Sequence, residues 1–87
     1  VLHLDLLKLS GGAKVQGLAI HDGKVEVEIW LEQPDKEILN QLTRLGFKVI
    51  IKSRVSNVVI GSIPIGQLLK ASRLQGIRAI VPHRLNG

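Results

Sequence analysis

The chain has 87 residues, a net charge of +5, 45% hydrophobic and 22% charged residues, one Trp, one Phe and no Cys. That makes one small globular domain with a core just large enough to fold, and it argues against a disordered chain. Zero Cys excludes disulfides, thiol catalysis and cysteine-ligated metals, and the apolar runs are far shorter than a membrane span.

In chain order, "VLHLDLLKLSGGAK" places Leu2, Leu6 and Leu9 on one helical face, which predicts one or two turns closed by Gly11-Gly12. "VQGLAI" leads into "HDGK", where Asp22-Gly23 between apolar-rich runs predicts a hairpin turn. "KVEVEIWLE" alternates, with Val25, Val27, Ile29 and Leu31 on one face and Glu26, Glu28, Trp30 and Glu32 on the other, as in a half-buried strand. Pro34 and Asp35 open a helix with an apolar stripe of Ile38, Leu39, Leu42 and Leu45, and Gly46 closes it. "FKVIIKSR" is a second strand, "VSN" a turn and "NVVIGSI" a third strand. Pro64 opens a second helix, with Leu68, Leu69 and Ser72 on one side, that ends at Gly76. "IRAIV" is the fourth strand, followed by the tail "PHRLNG".

The order from Lys24 onward is thus βαββαβ, and an internal repeat supports it. Sliding the chain by about 30 residues sets Pro34 on Pro64, Ile38 and Leu39 on Leu68 and Leu69, Gly46 on Gly76, and Ile50 on Ile80. Two strand–helix–strand halves interleave into a four-stranded antiparallel sheet with both helices on one face. This is the α+β, ferredoxin-like arrangement, here 24–87, preceded by an N-terminal extension, 1–23.

Parity then assigns the faces. Ile29, Val59, Gly61 and Ile63 point to the helices, as do Phe47, Val49 and Ile51, and Ile77, Ala79 and Val81. Trp30, Ile50, Val58, Ile60 and Ile80 remain for the open face, flanked by Glu26, Glu28, Glu32, Lys48, Lys52 and Arg78. An apolar band with a charged rim marks a partner site unless residues 1–22 fold back over it.

Catalytic chemistry is hard to assemble. "VVIGSIPIGQLL" approaches a phosphate-binding loop, but Gln67 and Leu68 stand where Lys and Ser/Thr are needed, and Pro64 removes a backbone donor. His3, His21 and His83 lack ligand-like spacing, and no Ser has a neighbouring His and acid. The reading is of a non-enzyme without cofactor or metal. The 12 Lys and Arg are scattered, and strand 1 carries acids with a single aromatic, so nucleic acid is disfavoured as a partner, as is a membrane. A chain that begins at Val1, has no Met and shows no leader pattern reads as a piece of something longer.

The stretches "VEVEIWLE", "ILNQLTRLGFKVI" and "NVVIGSIPIGQLLKASRLQGIRAIVP" resemble the propeptide-like domains of bacterial subtilisin-type serine proteases, over about two-thirds of the chain. The resemblance implies an intramolecular chaperone and inhibitor, acting in cis or in trans; the absence of Cys is compatible with an exported or cell-surface protein. Its open sheet face would dock on two helices of the protease. Glu26, Glu28, Trp30, Glu32, Ile50, Val58, Ile60 and Ile80 would form that face. The tail Pro82, His83, Arg84, Leu85, Asn86 and Gly87 would lie along the active-site cleft. The sequence departs from the family in "PHRLNG", where an acidic stretch is common, and in residues 1–23, which have no clear counterpart. The alternative is a free-standing ferredoxin-like domain that self-associates through the same face.

Overall fold

The Asp22-Gly23 turn has φ of +52° and +74° at its two central residues, the primed geometry that matches the right-handed twist of paired strands. It joins β1 (Ile20–His21) to β2 (Lys24–Leu31), with His21 opposite Lys24. The computed structural model describes residues 2–12, 20–33, 36–52 and 57–83. Pro34 and Asp35, the expected helix opening, and residues 53–56, the end of the second predicted strand and the start of its turn, lie outside them.

The remaining elements are α1 (Leu4–Ser10), α2 (Lys36–Arg44), β3 (Lys48–Lys52), β4 (Val58–Pro64), α3 (Leu68–Ser72) and β5 (Ile77–Pro82). They build a small α+β domain around one antiparallel sheet. β2 is central, with β4 on one side and β5 on the other. β3 pairs with the outer side of β4, and the short β1 pairs only with the start of β2.

The alternation along β2 is realised: Val25, Val27 and Ile29 are fully buried and Leu31 nearly so. They meet Val59 and Ile63 of β4, Ile38 and Leu42 of α2, Leu68 and Ala71 of α3, Phe47, and Leu6 and Leu9 of α1. Residues on both sides of Lys24 therefore contribute to a single core. The helix at 4–10 packs near α3 and β5, in the helical layer rather than over the open face.

Gly46 and Gly76 both follow a helical segment with positive φ, +97° and +90°, where a side chain is strained. Gly61 answers a different need. A Cβ there would collide with the Lys48 carbonyl oxygen and come within 2.8 Å of the Phe47 ring, so β3 closes on β4 only because position 61 has no side chain.

Facing differs from expectation in β5, in β3 and in the second helix. Ile80 is fully buried in the core, because β5 takes an extra residue at Arg78: Leu31 pairs with Ile77, but Trp30 pairs with Ala79 and Ile29 with Ile80. The bulge puts Ile77 and Ile80 on the helical side and turns Ala79 and Val81 to the other. In β3 an extra residue at Ile50 sets Ile51 opposite Ile60, on the open face; Val49 keeps its expected side, opposite Gly61, but is 42% exposed at the sheet edge. Pro64 both ends β4 and caps the second helix, as expected, but that helix begins as a 3-10 turn (Ile65–Gln67) before α3. Within α3 the buried stripe runs through Leu68 and Ala71, three apart, and leaves Leu69 exposed.

Candidate functional site

The face of the sheet away from the helices is set by the even-numbered residues of β2. Trp30 lies opposite Val58 on β4 and Ala79 on β5. Glu28 lies opposite Ile60 and Val81. Glu26 lies opposite Ser62, which in turn lies opposite Lys48. Ile51 extends the Glu28–Ile60 row to the edge.

Across three strands the face therefore grades from an apolar row at Trp30 to a polar row at Glu26. Trp30 and Ile60 are diagonal neighbours, a separation that a large aromatic side chain can bridge. The polar end opens into a concavity of about 490 Å³ between the β1–β2 hairpin and β3, lined by Ile20, His21, Lys24, Glu26, Lys48 and Ile50 among others.

Of the residues expected on this face, Glu26, Glu28, Trp30 and Ile60 share it by register, and Ile50 joins them at the concavity. Trp30 is 41% and Ile50 54% exposed, and Ile60 is half-buried. Val58 is on the face by register but only 8% exposed, so it supports Trp30 more than it presents a surface. Glu32 lies beyond the end of β2; its N–H donates to the Gly76 carbonyl at 2.8 Å, and the residue is exposed. Ile80 is not on the face, because the β5 bulge turns it into the core. Ala79, Val81 and Ile51 are additions that strict alternation hides.

The expected tail divides in the structure. Pro82 is the last residue of β5, opposite Val27. The His83 N–H donates to the Glu26 carbonyl at 3.1 Å, which continues the ladder by one residue. Its ring Nδ1 lies 3.1 Å from Glu28 Oε2, with both side chains about one-quarter exposed. This contact fastens the end of β5 to the middle of the open face. Arg84, Leu85, Asn86 and Gly87 lie outside the described residues.

The stretch that approaches a phosphate loop has no room for one. Gly61 sits mid-strand, paired with Val27 and Val49, and Ile65 donates its N–H to the Gly23 carbonyl at 3.0 Å. Among the described residues, no group of three or more His, Asp or Glu is placed to hold a metal ion, and no helix is long and apolar enough to cross a membrane. What the open face offers is area, hydrophobicity and a few carboxylates, which suits docking a macromolecular surface.

A scan against protein-family models, a search of curated proteins and a search of solved structures each find no match to this chain.

Proposed function

We propose that this chain is a non-enzymatic docking module of the propeptide-like kind, a chaperone and inhibitor that seats its open sheet face on a subtilisin-type serine protease. The observation that carries this reading is the exposed Trp30, at 41%, diagonal to Ile60 and sharing the face with Ile51, Glu28 and Glu26. Trp is among the residues enriched at binding hot spots. The carboxylates beside it suit the positive N-terminal ends of helices on a partner. The succession of strands and helices from Lys24 to Pro82, with β5 and β4 flanking β2 and β3 outside β4, supports the ferredoxin-like assignment on which the resemblance rests.

The test is inhibition. Purified domain at micromolar concentration is expected to slow hydrolysis of a peptide substrate by at least one of several subtilisin-type proteases. Undiminished hydrolysis across such a panel overturns the reading.

A second reading is self-association through the same face. It is favoured by Trp30, Ile50 and Ile51, each more than 40% exposed on a chain of 9.5 kDa. It predicts a dimer in sedimentation equilibrium that Ile60→Asp dissociates; a monomer at high concentration excludes it.

A further inference from the structure

β3 lies at an edge of the sheet. It pairs with β4 on one side, and no described strand pairs with its other side. Its residues Lys48-Val49-Ile50-Ile51-Lys52 are all exposed, Ile50 and Ile51 at 54%. The opposite edge is different. There Leu2 forms a parallel bridge to Ile80, and the His3 N–H donates to the Ile80 carbonyl at 2.9 Å. The chain thus supplies part of its own cover for β5 and, among the described residues, none for β3. An uncovered strand edge presents backbone donors and acceptors that an extended segment can pair with.

Charge decides which segment fits. β3 has a lysine at each end and no acid. A second copy pairing antiparallel about Ile50 would set Lys48 against the other copy's Lys52 at both ends, and like charges directly opposite are destabilising. The lysines therefore act against self-pairing, and the extra residue at Ile50 sets Lys48 and Lys52 on opposite faces, across from four residues of a regular partner. A segment with an acid at each end reverses the sign of both charge pairs while still covering the apolar residues between the lysines.

We propose that the outer edge of β3 captures an extended segment of another protein in which two carboxylate residues flank a short β-branched run. The segment pairs antiparallel through its backbone and sets one acid against Lys48 and the other against Lys52. The backbone edge of β3 adjoins the face assigned to protease docking and shares Ile50 and Ile51 with it, but not Trp30, which lies two strands away.

The probe is a fluorescein-labelled peptide, acetyl-Glu-Val-Val-Glu-amide, whose acids are three residues apart because Lys48–Lys52 spans four residues of a regular partner, read by anisotropy against the whole chain, with amide chemical shifts to locate it. A Lys-flanked counterpart and a version N-methylated at alternate amides serve as controls. The Glu-flanked peptide is expected to bind and to shift the amides of residues 48–52. Its affinity should fall about tenfold in the Lys48→Glu/Lys52→Glu variant and by a smaller factor in Lys52→Gln. N-methylation should abolish binding. Trp30→Asp should leave the affinity unchanged, so this inference and the docking reading fail separately. Equal binding of the Glu- and Lys-flanked peptides, shifts confined to β2 or β5, no binding at millimolar peptide, or dimerisation of the chain through β3 would each overturn it.

Discussion

Ile80 of β5 lies directly opposite Ile29 of β2, and both side chains are fully buried. The pair joins the two strands beneath the open face, and Ile80 also carries the bridge to Leu2. Ile80→Ala is therefore expected to lower stability by about 2–4 kcal/mol in urea denaturation, the range for a buried aliphatic truncated in a packed core. Ile50→Ala, at an exposed position of similar sequence character, should stay within about 0.5 kcal/mol. Equal effects would return Ile80 to the surface.

Gly61→Ala is the sharpest test of how β3 is held. The added methyl meets the Lys48 carbonyl oxygen and the Phe47 ring, so strand and ring must both move. Overpacking of this kind costs about 1–3 kcal/mol, and a backbone atom yields less than a side chain. Thermal denaturation should show a clear fall in Tm. Gly66→Ala is the control, since nothing lies within 4 Å of a Cβ there and its change should be slight.

The His83–Glu28 contact predicts a small but specific coupling. Both groups are partly solvated, so a double-mutant cycle of His83→Ala and Glu28→Gln should give a coupling energy below about 1 kcal/mol. Faster amide exchange at Val81 and His83 in either single variant would show that the contact fastens the end of β5. Unchanged exchange in both would remove that role.

Much of this architecture is legible in the residues, for identifiable reasons. Asp22-Gly23 announces its turn because few residue pairs accept positive φ twice. The alternation from Val25 to Leu31 announces β2 and its two faces because that strand is regular between two partners. Parity misleads in β3 and β5, where a single extra residue at Ile50 and at Arg78 reverses the facing of everything on one side of it. No residue type marks either bulge. The repeat that aligns Ile50 with Ile80 is real as a pattern, yet one is 54% exposed and the other fully buried. Leu69, expected beside Leu68 on the apolar side, is exposed because the buried stripe of α3 runs through Leu68 and Ala71, three apart. Alternation does bring Trp30, Glu26, Glu28 and Ile60 together, because all four lie in regular stretches of β2 and β4.

The central claim is that partners dock on the sheet face bearing Trp30. Trp30 and Leu69 are almost equally exposed, 41% and 40%, but lie on opposite sides of the molecule, one on the open face and the other on α3. The most direct measurement compares the inhibition constants of Trp30→Asp and Leu69→Asp against a subtilisin-type protease that the parent domain inhibits, after circular dichroism has shown both variants folded. Loss of a central aromatic anchor is worth ~2 kcal/mol or more, so Trp30→Asp should weaken inhibition at least about thirtyfold while Leu69→Asp leaves it within about twofold. Equal loss in the two variants, or full inhibition by Trp30→Asp, would contradict docking through this face.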